Sequence, residues 1–242
     1  MNRTILALLI LIPVSVLGAE NRGIESTNYE ASFDYYNSNF RDIYSLTAVA
    51  NLPIDGVFAA NLTATFSDGN GKSFSGGRGF DSTTSSMAAM LFMRDHSIGK
   101  VGAALAYSKS KNDYPSSLSA YKNQETTGYF VYGHYYLSYV TLFASRSYAE
   151  NNDDFSIYAS SAGLAIYLPS NFGIALSGLR ANQETDFDLA ITHQPSYLNN
   201  NAALTFSYNR DSEDSDFDSY TLTFSYYFGT RVSLIDRDRK YR

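Results

Sequence analysis

The stretch Tyr220-Thr-Leu-Thr-Phe-Ser-Tyr-Tyr-Phe228 decides how this chain is read. In an extended strand, successive side chains point to opposite sides. Tyr220, Leu222, Phe224, Tyr226 and Phe228 therefore share one face, and Thr221, Thr223, Ser225 and Tyr227 share the other. The second face is mostly small and polar yet carries no charge, whereas a sheet wetted by bulk water would normally place Lys, Glu or Arg there. A bulky aromatic face set against a slim, hydroxyl-bearing one suits a wall between lipid and a polar interior.

The same alternation recurs upstream, roughly every 15 to 20 residues. Clear cases are Tyr29-Ala31-Phe33-Tyr35, Tyr44-Leu46-Ala48-Ala50-Leu52 and Phe58-Ala60-Leu62-Ala64-Phe66. Others are Val101-Ala103-Leu105-Tyr107, Phe187-Leu189-Ile191 and Leu204-Phe206-Tyr208. Two segments, near 84–94 and 139–148, leave their inward side unassigned. Turns after even strands are short, as at Pro53–Gly56, Asp95–Ile98, Leu137-Ser138 and Pro169–Asn171. Connections after odd strands are polar, and two are long, 67–82 and 108–124. The pattern predicts an all-β protein, a transmembrane antiparallel up-and-down β-barrel over residues 20–228. Counting gives about twelve strands, and ten or fourteen also fit. A soluble sandwich or lipocalin-like barrel would share the alternation, but its wet face would carry many charges. Here that face holds mainly Ala, Ser, Thr, Gly and Asn.

Composition agrees. Charged residues make up 17%, against roughly 25% in soluble domains. There is no cysteine, so no disulfide framework or thiolate metal site arises. The apolar run Ile5–Gly18 follows Arg3 and is too short to span a bilayer as a helix, which predicts a cleaved signal peptide over 1–19. Acidic groups gather at Asp153-Asp154 and between Asp211 and Asp218. Basic groups gather in 229–242, at Arg231, Arg237, Arg239, Lys240 and Arg242, which reads as a disordered periplasmic tail. An exported acidic chain is a poor nucleic-acid binder.

On these residues the chain resembles bacterial outer-membrane β-barrel proteins, and more loosely their porin-like members. The most specific match is to the family's terminal assembly signal, at Tyr220, Leu222, Phe224, Tyr226 and Phe228. The chain departs from the family by continuing through Gly229–Arg242, where most members stop. The resemblance implies the outer membrane of a Gram-negative bacterium, surrounding lipid and lipopolysaccharide, and insertion by the barrel assembly machinery. Nothing in the lipid face assigns an oligomeric state.

Chemistry has little to stand on. His96 and His193 fall at predicted turns, and His134 faces inward, where a hydrogen-bonded histidine outweighs a hydrolytic site needing a triad. Asp214, Asp216 and Asp218 open like a calcium loop, but Ser219 and Ser225 stand where Gly and Glu are needed. They read as a solvated acidic loop or a loose divalent-ion contact. The stretch 68–81, with Lys72, Phe74, Arg78 and Phe80, reads as a surface loop rather than a pore constriction. Neither a cofactor nor a metal site is assigned.

Function then rests on the interior. Twelve strands lie between barrels filled by side chains and barrels holding an aqueous channel. The expected pore lining is Asn61, Thr63, Thr65, Lys100, His134, Ser161, Thr205, Ser207, Thr221 and Thr223, with Gly102 and Gly163 adding room. Glu30, Asp34, Asp186 and Asp188 are expected near the outer mouth, favouring cations weakly. The leading expectation is passive diffusion of small hydrophilic solutes. The alternative is a closed structural or surface-interaction barrel.

Overall fold

Strands in lipid must pair every backbone N–H and C=O among themselves, so amphipathic segments of this kind persist only as a closed sheet. The computed structural model describes residues 23–72, 80–113, 123–153, 155–181, 184–211, 218–229 and 231–242. The expected signal peptide lies outside them.

Twelve strands follow in order: β1 (Asn28–Ser38), β2 (Arg41–Asp55), β3 (Phe58–Gly71), β4 (Ser82–Asp95), β5 (Gly99–Asn112) and β6 (Asn123–Leu137). Then come β7 (Val140–Asn151), β8 (Ser156–Leu168), β9 (Phe172–Ala181), β10 (Glu184–His193), β11 (Ala202–Asp211) and β12 (Ser219–Phe228). Each pairs antiparallel with its neighbours in sequence, and β1 closes on β12.

The register sets the barrel's dimensions. From Leu137 of β6, rungs pass through Val140, Ile166, Ile174, Ile191, Phe206, Leu222, Tyr35, Tyr44, Asp68, Thr83 and Lys111. The circuit returns to β6 at Asn123, fourteen residues from its start. Twelve strands with that shear tilt by about 39° and enclose a backbone cylinder of about 12 Å radius.

The faces fall as the alternation predicts. Tyr220, Leu222, Phe224, Tyr226 and Phe228 are exposed on the outer surface, and Ser219, Ser225 and Tyr227 are buried on the inner one. The two unassigned strands are resolved by their partners. On β4, Leu91 and Met93 point out while Phe92 and Arg94 point in; on β7, Leu142 points out and Thr141 is buried.

Outward aromatics form two belts. Tyr35, Tyr44, Tyr129, Tyr148, Tyr158, Tyr208 and Tyr220 stand toward one end, several in ring contact, as Tyr148–Tyr158 at 4.8 Å and Tyr208–Tyr220 at 5.2 Å. Tyr29, Phe58, Tyr135, Tyr139, Phe172, Tyr226 and Phe228 stand toward the other, the short-turn end. Two such girdles mark the interfaces of a membrane barrel.

Two expectations change. Strands run further into the polar connections than composition suggested: β3 continues to Gly71 and β5 to Asn112, and β1 and β2 are joined across Asn39 and Phe40 alone. Backbone pairing is satisfied by the neighbouring strand whatever the side chains are, so charges such as Lys109, bonded to Glu125 across the rung, continue the ladder beyond the apolar belt. The second change is the tail. Residues expected to be disordered form a short helix, Leu234–Asp236, that continues as a wider turn over Arg237–Tyr241. Ser233 caps it, its hydroxyl accepting from the Asp236 amide at 3.2 Å.

Candidate functional site

The inner wall is built from hydroxyls facing one another across rungs. Ser45 bonds Ser67 at 2.9 Å, Thr47 bonds Thr65 at 3.0 Å, Thr84 bonds Ser110 at 2.8 Å, Ser145 bonds Ser161 at 2.7 Å and Thr192 bonds Thr205 at 3.0 Å. Direct cross-strand pairs of this kind stabilise the sheet while keeping the wall thin and polar. Nearer the short-turn end an amide chain continues the pattern: Thr63 donates to Asn61, Asn61 to Asn51 at 2.7 Å, and Asn51 to Asn28 at 3.0 Å. Thr223 donates to Asp34 at 2.6 Å, and Thr221 and Ser207 share a rung between them. All ten residues expected to line the interior sit on the inner face, but at different depths. Asn61, Thr63, Thr65, Ser161, Thr205, Ser207, Thr221 and Thr223 belong to the slim wall. Lys100 and His134 belong to a filled region at the short-turn end.

That region is the feature sequence reasoning missed. Phe92, Tyr132, Tyr136 and Tyr227 point inward and are buried, as is Ile24 from the segment preceding β1. Gly102, expected to widen the passage, is instead a seat. A Cβ there would stand 2.6 Å from Phe92 Cβ and 2.7 Å from the Leu91 carbonyl oxygen. Gly163 lies likewise beneath the Phe143 ring.

Into this aromatic ring the tail inserts. Arg237 is 2% exposed, lies 3.6 Å from the Tyr227 ring centre and donates to the Asn200 carbonyl at 2.9 Å. Arg239 reaches across to the Tyr136 ring and donates to the Val140 carbonyl at 3.0 Å. Arg242 forms a two-pronged ion pair with Glu30 and also bonds the Tyr227 hydroxyl. Leu234 packs on Gly173, where an added Cβ would stand 3.0 Å from its Cδ2. Asn28 donates to the Tyr241 carbonyl at 2.7 Å, and the Glu25 amide donates to the Lys240 carbonyl at 3.1 Å. The tail thus holds β1, β6, β7, β9 and β12, while Ile24 covers β3 and β4. Chain crosses the whole bore.

Electrostatics explains why it stays. Arg94 and Lys100 are direct rung partners on the inner wall, and Lys100 also faces His134. Like charges so placed repel. Asp238 of the tail is the acidic group that acts on both, and the Tyr167 hydroxyl also favours its charged form. Burial pushes its carboxyl up, but Lys100, Tyr167, His134 and Arg94 together hold it below the ordinary value. Arg237 is pushed down by burial to about 10 and remains charged at neutral pH. Arg242 is also buried, yet its partner Glu30 holds its guanidinium above the ordinary value.

The remaining candidates are placed as follows. Glu30 lies at the tail end of the lumen rather than near the outer mouth, because β1 begins there. His134 is flanked by the rings of Tyr132 and Phe143, and His193 stacks on Phe172 at 4.0 Å. Asp218 accepts from Tyr208, while Asp214 and Asp216 lie outside the described residues. Lys72 pairs with Asp42 at 3.2 Å and donates to the Ser38 carbonyl, and Phe74 and Arg78 also lie outside the described residues. One signal for the closed end was present in the sequence: Tyr227 on the slim face of the terminal strand.

Neither a protein-family model nor a curated protein sequence matches the chain. Solved structures do. The COG4313 outer membrane channel from Pseudomonas putida F1 superimposes with a TM-score of 0.63 at 11% identity, covering 88% of this chain and 100% of that one. The KdgM porin gives 0.57 at 9% identity over 83% and 99%. The translocator domain of the autotransporter NalP from Neisseria meningitidis gives 0.56 at 9% identity over 85% and 88%. At these identities the likeness is one of fold, and the fold is that of outer-membrane β-barrel proteins. Porins and channels are among the neighbours that share it.

Proposed function

We propose that the protein is a porin-like channel of the Gram-negative outer membrane, passing small hydrophilic solutes by diffusion, and that its own tail holds it closed at the periplasmic mouth. The observation that carries this reading is the hydroxyl-paired inner wall, slim and wet from the loop end down to the tail. Below it, a small polar pocket of about 130 Å³ lies against the tail, bounded by Tyr167, Thr192, Thr205, Ser225, Asp238 and Arg242. A descending solute would meet the obstruction there.

The test is single-channel recording of the full-length protein beside a chain ending at Gly229. Rare or brief openings in the first and stable conductance steps in the second are expected. The filled mouth itself favours a second reading, a closed structural or surface-interaction barrel. That reading predicts no steps from either chain. Such a result, with both chains folded by heat-modifiable migration, would remove the channel.

A further inference from the structure

The outer surface is not uniform around the barrel. Across β8 to β11 a shallow apolar groove of about 550 Å³ opens toward the surroundings. Its floor is Ala162 and Gly178, rung partners on adjacent strands. Leu164, Leu176 and Leu189 bound it toward the short turns, Phe187 and Tyr208 bound one side, and Arg210 stands at its outer end. Packing does not demand the glycine. A Cβ on Gly178 would meet nothing closer than 3.9 Å. The groove is space that a surrounding molecule fills.

Three arginines cluster above it. Arg146 on β7, Arg180 on β9 and Arg210 on β11 all point outward and are exposed. Among the described residues, none of them has a carboxylate partner. Each lies about 15–20 Å along the barrel axis from the short-turn end of its strand, given the strand rise and tilt. That places them within two residues of Tyr148, Tyr158 and Tyr208, in the loop-side half of the apolar band, where an arginine side chain reaches up to the headgroups. They sit on alternate strands, so successive arginines are about 10 Å apart across the surface. A single phosphate headgroup cannot engage that span, whereas a sugar backbone with a phosphate at each end can. Guanidinium groups suit this role because they bind phosphate in a two-pronged fork.

We propose that this sector binds one molecule of lipopolysaccharide, an acyl chain in the Ala162–Gly178 groove and its phosphates on Arg146, Arg180 and Arg210. The proposal rests on the outer-membrane placement proposed above, with the long connections outside. In native mass spectrometry of the full-length protein in detergent, hexa-acylated bisphosphorylated lipid A should bind as a single adduct at low molar excess. The triple change Arg146→Ser, Arg180→Ser, Arg210→Ser should weaken that adduct at least about tenfold. Gly178→Phe, which fills the groove and leaves every charge, should also weaken it; this single variant carries the test should the triple one fail to fold. Unchanged lipid A binding by either folded variant would overturn the proposal. So would equal binding of phosphatidylglycerol, which would mark a general anionic-lipid surface. Channel recordings of the same variants should match the unmodified protein, so failure of the lipid site is read separately from failure of the channel. A protein soluble without detergent would remove the placement itself.

Discussion

Replacing Asp238 by Asn should open the barrel without unfolding it. In the seated tail this carboxylate is the acidic counterpart of Arg94 and Lys100, which oppose each other on one rung. Asn keeps the size but removes the charge. A counter-charge acting through space rather than in direct contact is worth about 1–3 kcal/mol at an effective dielectric near 20. With the tail withdrawn, Arg94 and Lys100 are rehydrated by lumen water, so the loss falls on the seated state alone. At about 1.4 kcal/mol per tenfold, seated occupancy falls by about fivefold to a hundredfold. The readout is the fraction of time conducting in planar bilayers at neutral pH. Trypsin sensitivity after Arg237, Arg239 and Lys240 supplies an independent measure, because a seated tail is shielded. Acid should mimic the substitution. Asp238 titrates below the ordinary carboxylate value, so its contribution is complete above that value and is lost as the pH falls through its depressed one. A variant as closed and as trypsin-resistant as the native chain would refute the electrostatic account of the seat.

A chain ending at Gly229 loses Arg231, Arg237, Arg239, Lys240 and Arg242 together with Asp236 and Asp238. Glu30, Asp34, Asp186 and Asp188 then outnumber Arg94 and Lys100 on the inner wall, and the reversal potential in a salt gradient should show weak cation preference. Anion preference would count against that inward assignment. Gly102→Val should destabilise the barrel by about 1–3 kcal/mol, because the added atoms overlap Phe92 and the Leu91 carbonyl; an unchanged urea midpoint would contradict the packing described. Phe228→Asp puts a charge on the aromatic belt and removes the ring contact with Tyr226 at 4.8 Å, so less folded protein should reach the outer membrane. Undiminished heat-modifiable protein in membrane fractions would argue against a role for Phe228 in assembly.

A count of about twelve strands, the lipid and lumen faces of most of them, and the terminal pattern were legible from the amino-acid order. A period of two is a local property, and Tyr220 to Phe228 display it whatever their neighbours do. β4 and β7 were not legible in this way, because apolar residues on both faces need the partner's register to tell in from out. The interior was half legible. Thr65 and Thr205 could be placed on the inner wall, yet Gly102 looked like open space until Phe92 and Tyr132 closed over it.

The tail lay beyond local reading altogether. Its bonds join Asn28 to Tyr241 and Lys100 to Arg242, residues far apart in the chain that closure of the sheet brings into one bore. Five basic residues at a chain end look like a solvated terminus when taken alone. Only the closed barrel supplies aromatic rings, a buried Glu30 and a cationic rung in need of Asp238. Alternation along the chain determined the wall, and the pairing of distant segments decided what stands inside it.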